Sequence, residues 1–327
     1  MNNYQTFKKA ITDEAEELIK MSTRLKPEEI NKISVIFKNL KKNNSTLVIS
    51  GIGKSALIGK KISATFASLG LRSIFLHPTE ALHGDLGLTS SRDAAILISK
   101  SGATQELLEL VNYLPMPKKN IIGLLGNISS PLAENCGAIL DCGIEREVCM
   151  TNLAPTTSTT ATLSMGDALA VLFQKVTNFT PREFAINHPS GYLGKSLLLK
   201  VSKIMVLEKF CPTISPDSTF QDAIIKMTEK PIGVCIVLDK TKLKGIIVEG
   251  DIRRALANKK FNPNQKVKEI MNTKPITIDQ EILVNHALAM MEKNGKQISQ
   301  LIVCENQKFI GVLRIQDIIK EGFKISK

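Results

Sequence analysis

The sequence lacks the features of membrane, secreted and zinc-binding proteins. Its uncharged stretches are interrupted by Ser, Thr, Gly or Pro before they reach the roughly 18 residues that a membrane-spanning helix requires. The N-terminus mixes acidic and basic side chains and contains neither the apolar segment nor the cleavage site of a signal peptide. The six cysteines include no C-x-x-C pair and no zinc-finger spacing, so we expect reduced, mostly buried thiols. These absences predict a cytoplasmic protein.

Aromatic residues are also scarce, at 5% of the chain, although the net charge is +12. The lysines occur in ones, twos and threes and do not form a basic patch with interleaved aromatics. The 45 residues before the first apolar strand are too few for a helix-turn-helix domain and carry no recognition-helix signature. The composition therefore argues against a nucleic-acid-binding protein.

Apolar residues make up 43% of the 327 residues, which is enough for more than one core. Residues 1–45 carry two helical patterns, and we expect both helices to pack on the domain that follows. From residue 46, helical stretches alternate with short apolar runs at residues 47–49, 74–76, 94–98, 121–125 and 139–140. Because such alternation is typical of parallel sheets covered on both faces, residues 46–200 are predicted to form an α/β domain.

The rest of the chain repeats itself with a period of 66 residues. The segment VSKIM aligns with VKEIM, and Gly245 and Asp251 align with Gly311 and Asp317. Since the register is the same at both ends, the sequence predicts two copies of one small α+β unit, at residues 201–265 and 266–327.

Two loops that follow predicted strands have the composition of anion-binding turns. The first is GIGKS at residues 51–55, which opens a predicted helix. A Walker A loop requires Gly where Val48 stands, and a dinucleotide fold requires an acid where His77 stands. A sugar-phosphate site remains. The second loop, SKSGAT at residues 99–104, offers three hydroxyls and backbone N–H groups to a phosphate, although Ser or Thr at a helix start is also an ordinary cap.

Further polar residues accompany these loops. Five hydroxyl residues at 156–160 precede an apolar helix, and sugar binding and a structural role are equally good interpretations of them. The segment HPTEALHGDLG gathers His77, Glu80, His83 and Asp85 after the second predicted strand, and His188 lies in HPSGYLG. Ionisable clusters beside phosphate loops are more often functional than structural.

These motifs resemble known families. The S-x-S-G-x-T spacing resembles the phosphate loop of the SIS sugar-isomerase family, and the repeat resembles a CBS-domain pair, which often binds adenosyl nucleotides. Together with GIGKSALIGKKISATFASLG, HPTEALHGDLG, EREVCMTNLAPTTSTT and HPSGYLGKSLL, they resemble the arabinose 5-phosphate isomerase family over essentially the whole chain. The resemblance implies an SIS-type parallel sheet flanked by helices, followed by a tandem CBS α+β module.

The resemblance also implies an activity and an assembly. Members interconvert D-ribulose 5-phosphate and D-arabinose 5-phosphate, the first step of Kdo biosynthesis for lipopolysaccharide or capsule, and they are homotetramers without an organic cofactor. Two alternatives stay open: an SIS-domain sugar-phosphate sensor, and an isomerase of another phosphosugar.

Individual roles follow from the same resemblance. The family's catalytic positions fall on Lys54, Glu106, Glu147 and His188. Substrate binding is expected from Ser55, His77, His83, Ser99, Ser101, Thr104 and Thr157, and His77 also matches a histidine linked to inhibitory zinc. Enediol chemistry needs a base at carbon. Glu147 is the leading candidate, with His188 for ring opening or proton transfer between oxygens, and the reverse assignment is open.

The chain also departs from the family pattern. Lys100 stands where relatives often carry Asn, and Ala103 replaces Glu, but neither change removes a hydroxyl from the phosphate loop. In the repeat, Val248 and Arg314 occupy positions at which nucleotide-binding CBS copies carry a hydroxyl. The aspartates that hold ribose in such copies persist here as Asp251 and Asp317. The resemblance implies a nucleotide-like ligand at the CBS pair, whereas these two departures favour a non-adenine ligand or a structural role.

Overall fold

The structure, a computed structural model, describes residues 2–257, 262–292, 298–306 and 308–324. The chain divides into two compact units, Met1–Asn187 and His188–Lys327, and each is described by itself. The division precedes the HPSGYLG motif, whereas the sequence pattern suggested a boundary at residue 200. Within the described residues, no helix combines the length and the apolar character needed to cross a bilayer.

Residues 2–187 are all described, and they build the first unit around a five-stranded parallel sheet. Its strands are β1 (Leu47–Gly51), β2 (Ser73–Phe75), β3 (Ala94–Ser99), β4 (Ile121–Leu125) and β5 (Ala138–Asp141). They lie in the order β2-β1-β3-β4-β5. Strands β1, β3 and β4 are buried along their whole length, as expected of strands covered on both faces. The predicted α/β class is confirmed.

Helices cover both faces of this sheet. They are α1 (Asn3–Thr23), α2 (Pro27–Asn43), α3 (Lys54–Ser68), α4 (Pro78–Leu82), α5 (Gln105–Val111), α6 (Thr157–Thr177) and α7 (Pro181–Asn187). On one face, Phe37 of α2, Phe66 of α3 and Phe173 of α6 have ring centroids 5.5, 5.7 and 5.9 Å apart. On the opposite face, Leu107 and Leu110 of α5 belong to a second core. Helices α3 and α5 therefore lie on opposite sides of the sheet.

The connections of the sheet reverse direction at its centre. From the end of β1 the chain enters α3 and returns to β2, which lies on one side of β1. From the end of β3 it enters α5 and returns to β4, which lies on the other side. Because α3 and α5 diverge onto opposite faces, a crevice remains between the carboxyl ends of β1 and β3. Ligands of open parallel sheets bind in such crevices.

Within the described part of the chain, the second unit forms a seven-stranded sheet. Its strands are β6 (Val206–Leu207), β7 (Thr213–Ile214), β8 (Val234–Asp239), β9 (Lys242–Val248), β10 (Thr277–Ile278), β11 (Gln300–Glu305) and β12 (Lys308–Arg314). Six of these strands lie in the order β10-β11-β12-β9-β8-β7, and β6 pairs with β12. Its α-helices are α8 (Tyr192–Leu198), α9 (Phe220–Glu229), α10 (Glu249–Ala257), α11 (Val284–Glu292) and α12 (Ile315–Lys320). Hairpins β8–β9 and β11–β12 carry a register shift at equivalent positions, after Val237 and after Val303.

The two repeats exchange short segments. Strand β6 of the first repeat pairs with β12 of the second, and Asn272 of the second repeat pairs with Ile246 in β9 of the first. A glycine lies at each crossing. A Cβ on Gly311 would lie 2.5 Å from the carbonyl oxygen of Val206, and a Cβ on Gly245 would lie 2.7 Å from that of Asn272. The crossing segments explain why glycine recurs in the repeat, and neither copy completes its sheet alone.

Candidate active site

The phosphate loop, residues 99–104, runs from the end of β3 to the start of α5 and is held by its own side chains. The Oγ of Ser99 accepts a hydrogen bond from the N–H of Gly102 at 2.9 Å and lies 2.8 Å from the Oγ1 of Thr104. Gly102 has a φ of 66°, and a Cβ there would overlap the Oγ of Ser130. Both observations require glycine at this position. Contacts within the protein therefore determine the shape of the loop.

Two adjoining hollows lie at the crevice between β1 and β3. Their volumes are about 190 and 450 Å³, and both are lined by Ile52, Ser55 and Lys100. The smaller one is also lined by Lys54, Ile58, Pro155, Ser158, Thr159 and Thr162. The larger one is also lined by Ile98, Ser99, Ser101 and Thr104. Two ammonium groups and several hydroxyls therefore surround a space suited to an anion that carries hydroxyl groups.

The carboxylate of Glu147 is buried beside the smaller hollow, on the segment between β5 and α6. Its Oε1 accepts hydrogen bonds from the Nζ of Lys100 at 2.6 Å and from the Oγ of Ser158 at 2.5 Å. Its Oε2 accepts from the backbone N–H groups of Thr156 at 2.9 Å and Ser158 at 3.1 Å. The first turn of α6 and the phosphate loop thus meet at this carboxylate.

These contacts determine the charge of Glu147. Burial by itself would raise the pKa of this carboxyl, but the ion pair with Lys100 and the hydrogen bonds from Ser158 and Thr156 outweigh it. Together they lower the pKa of Glu147 from 4.5 to about 2. Because base strength follows pKa, Glu147 is a weak base while all of these donors remain in place.

Helix α1 fixes the segment that leads to Glu147. Asp13 pairs with Arg146 at 3.2 Å, and the carboxylate of Glu17 accepts the backbone N–H of Glu145 at 3.0 Å. Helix α1 is therefore part of the support of the site, in addition to its packing on the domain.

Thr157 supports the same segment. Its hydroxyl accepts the backbone N–H of Val148 at 3.0 Å, and the residue is 1% exposed. Within the described residues, Thr157 lies outside the lining of both hollows. The geometry favours the structural interpretation of this hydroxyl, and its predicted contact with substrate has no support here. The hydroxyl cluster was expected to precede an apolar helix, but helix α6 begins at Thr157, so the cluster forms the N-cap and the first turn of that helix.

The remaining predicted residues are less closely grouped. Glu106 is exposed in the first turn of α5, and His83 is exposed at the end of α4. His77 precedes α4, and its Nδ1 is buried without a hydrogen-bond partner in the described part of the chain. None of these three lines either hollow as the described residues define them. His188 is the first residue of the second unit. The functions of these four residues stay predictions.

The described residues do not fit a resident metal ion. No group of three His, Cys, Asp or Glu side chains in that part of the chain is placed to hold one. His77 offers one unpartnered nitrogen, which is a single ligand. Inhibitory zinc at His77 stays a prediction.

Lys100 and Ser158 are the site residues that sequence reasoning missed. Lys100 was noted only as a departure from a family pattern, although a lysine inside a phosphate loop is itself a signal. Ser158 lay in the cluster of five hydroxyls, but nothing in the sequence distinguished it from its neighbours.

A hollow of about 470 Å³ between the α1–α2 turn and β5 is a weaker candidate site, because its Arg24 is already paired with Asp141.

The fold and the site define a sugar-phosphate-binding domain followed by a paired small module. Comparison with known families agrees with this class. Residues 39–172 match the SIS domain family, and residues 201–258 and 267–324 each match the CBS domain family.

Relatives match over most of the chain. Arabinose 5-phosphate isomerase KdsD of Francisella tularensis subsp. tularensis (strain SCHU S4 / Schu 4) is 39% identical over 90% of this chain and 89% of its own length. The protein of that name from Yersinia pestis is 40% identical, and the match covers 84% of each chain. A solved Bacteroides fragilis NCTC 9343 structure, named "putative phosphosugar isomerase involved in capsule formation", is 34% identical with a TM-score of 0.54. It matches 57% of this chain and 97% of its own. The chain belongs to the arabinose 5-phosphate isomerase family, as the sequence motifs predicted.

Proposed function

We propose that the protein interconverts D-ribulose 5-phosphate and D-arabinose 5-phosphate. The observation that carries this proposal is the crevice between β1 and β3, where hydroxyls and the ammonium groups of Lys54 and Lys100 surround one space. Two residues that line it, Lys100 and Ser158, donate hydrogen bonds to the buried carboxylate of Glu147. An anion-binding surface and an acid–base group thus lie within one site. Relatives with this activity in their names match more than four fifths of the chain.

The phosphate of the substrate binds at the phosphate loop and Ser55. Ser99, Ser101 and Thr104 line the larger hollow, and the N-termini of α3 and α5 direct backbone N–H groups toward the same region. Binding energy from the phosphate holds the reacting carbons in position, which is how a remote group accelerates chemistry elsewhere in a substrate.

Isomerisation moves a proton between C1 and C2 through an enediol. Glu147 is proposed as the base at carbon and His188 as the group that opens the ring or moves protons between the oxygens, with the reverse assignment as the alternative. Lys54 stabilises the negative charge of the enediolate. Glu106 orients Lys54 or acts as a second acid–base group, and His83 contacts the substrate.

The test of this function is incubation of the purified protein with D-ribulose 5-phosphate in deuterated water, followed by NMR identification of the product. We expect D-arabinose 5-phosphate that carries one deuterium at C2, because the proton taken from C1 exchanges with solvent on the enzyme's base before a deuteron is delivered to C2. A different aldose would indicate an isomerase of another phosphosugar. Binding of the sugar phosphate without any product would indicate a sensor.

We also propose that the product supplies Kdo biosynthesis for lipopolysaccharide or capsule, that the protein acts in the cytoplasm, and that the enzyme is a homotetramer. Assembly is supported by an apolar stripe on α1, where Tyr4, Phe7 and Ile11 are 72%, 72% and 60% exposed. Contiguous exposed apolar surface of this kind marks an interaction site.

For the CBS pair we favour a structural role or a ligand other than an adenosyl nucleotide. Both candidate ribose-binding carboxylates are engaged within their own repeats. Asp317 accepts two hydrogen bonds from Arg314, at 2.6 and 2.7 Å. Asp251 accepts the N–H of Val248 at 2.9 Å and pairs with Arg254 at 2.5 Å.

A further inference from the structure

Lys100 connects the two halves of the site. It lies in the phosphate loop and lines both hollows, while its Nζ lies 2.6 Å from the Oε1 of Glu147. A lysine ammonium has three donors, and one of them is directed at Glu147. The side chain of Lys100 is 57% exposed, whereas that of Glu147 is 0% exposed. The same ammonium is therefore placed to meet an anion that enters the hollow.

The other donors to Glu147 are fixed. They belong to Thr156 and Ser158, at the start of α6, and could leave the carboxylate only if that turn of helix rearranged. Lys100, in contrast, reaches Glu147 through a flexible side chain. Among the described partners of Glu147, it is the one that carries a formal positive charge. Of the described partners of this carboxylate, Lys100 is thus the one that a ligand can draw away.

We propose that Lys100 is a positioning residue that couples occupation of the phosphate loop to the ability of Glu147 to accept a proton. In the structure, the ammonium of Lys100 pairs with Glu147. A phosphate dianion or a developing enediolate competes for that ammonium and brings negative charge toward the carboxylate. Both effects raise the affinity of Glu147 for a proton, so the substrate itself prepares the base.

This inference rests on the proposed function, since it gives Glu147 the proton that leaves carbon. In that step the C–H bond breaks, its proton goes to Glu147 and its electron pair forms the C=C bond. The π pair of the carbonyl group moves to oxygen and gives the enediolate, whose charge Lys54 stabilises. Lys100 touches Glu147 and the anion rather than the proton in transit. Lys54, which lines the same hollow, and Cys149, on the same segment as Glu147, are the neighbouring titratable groups that must stay unchanged in the test.

The experiment measures the protonation of Glu147 directly in the full-length protein. Difference infrared spectroscopy follows its carboxylate band against pH, and Glu147→Gln identifies that band. The variants are Lys100→Met, Lys100→Arg and the matched control Lys61→Met, which removes a lysine that is also ion-paired but lies on α3 outside both hollows. The probes are inorganic phosphate and D-arabinitol 5-phosphate, which binds as an anion but cannot isomerise.

For the wild-type protein we expect D-arabinitol 5-phosphate to move the titration of Glu147 upward by about one pH unit or more. In Lys100→Met the titration should already lie higher without a probe, and the probe should add little. Lys100→Arg keeps the charge and should recover most of the response, while Lys61→Met should behave as the wild type does. The turnover number of Lys100→Met should fall by at least about tenfold, with a smaller change in KM.

Three results would overturn the coupling. The first is a Glu147 titration that is the same in wild type and Lys100→Met, and the second is a wild-type titration that neither probe changes. The third is a rise in KM alone, because it would make Lys100 a simple phosphate ligand. If the wild type makes no D-arabinose 5-phosphate but Glu147 still responds through Lys100, the isomerase proposal fails and the coupling stands.

Discussion

Glu147 is the residue whose chemistry the site most clearly defines, and replacing it tests that chemistry. Glu147→Gln keeps the shape of the side chain but cannot accept a proton, and its amide would direct a donor at Lys100. We expect kcat to fall by about 10²–10⁴, the range for acid–base groups. Steady-state kinetics measures this. Glu145→Gln, two residues earlier with a side chain 71% exposed, is the control. Near-wild-type turnover of Glu147→Gln would remove this residue from the mechanism.

The same carboxylate makes the stability of the fold depend on pH. The pKa of Glu147 falls from 4.5 in an unfolded chain to about 2 in the folded protein, so the folded state binds this proton less tightly. Its contribution to stability is therefore fully present above pH 4.5 and is lost as the pH falls toward 2. Denaturant unfolding across this interval should show a shallower pH dependence for Glu147→Gln than for the wild type. Parallel curves for the two proteins would contradict the assignment.

At the scale of elements, the phosphate loop depends on one glycine. In Gly102→Ala the new methyl group would meet Ser130 while the backbone holds a φ of 66°, so the loop must shift away from Ser99. We expect KM for the sugar phosphate to rise by at least about tenfold, because the hydroxyls no longer converge. Gly87→Ala is the matched control, since nothing lies within 4 Å of a Cβ there. Equal KM values in the two variants would show that the loop tolerates a side chain.

The second unit allows a test of the carboxylates in its repeats. Since Arg314 engages Asp317, we expect calorimetry to detect no binding of AMP to the wild type at millimolar concentration. Arg314→Thr frees Asp317 and supplies a hydroxyl, so AMP should then bind at least about tenfold more tightly. Lys308→Thr on the same strand is the control. Binding of AMP by the wild type as tight as by Arg314→Thr would show that the Arg314–Asp317 ion pair does not prevent AMP from binding.

The elements differ in how far the sequence predicts them. The five strands of the first sheet were predictable because each contains a short apolar run bounded by Gly, Ser or Asp, and such a run is visible in the local sequence. The position of the phosphate loop followed from those strand ends. The pairing of Lys100 with Glu147 was not predictable, because it joins loops 47 residues apart whose contact depends on strand order. The pairing of β6 with β12 was not predictable either, because these strands are also far apart in the sequence.

At the scale of the whole molecule, the outer face of α1 tests the proposed assembly. The stripe around Phe7 is apolar and exposed, while the inner face of the helix is anchored to the segment before Glu147. We expect light scattering with size-exclusion chromatography to find a tetramer for the wild type and a smaller species for Phe7→Glu. Lys8→Glu adds the same carboxylate one residue along and should stay tetrameric. A wild-type monomer would contradict the proposed assembly.

The exchanged segments of the second unit have a consequence for how the chain leaves the ribosome. Strand β6 is made about 100 residues before β12, the strand with which it pairs. At bacterial synthesis rates that interval is roughly 5–20 s. During this time the first repeat has neither a partner for β6 nor the crossing segment at Asn272 that completes β9. A nascent chain halted between the two repeats should therefore expose unpaired strand edges and bind chaperones. Once the second repeat has been synthesised, these edges should pair and chaperone binding should cease.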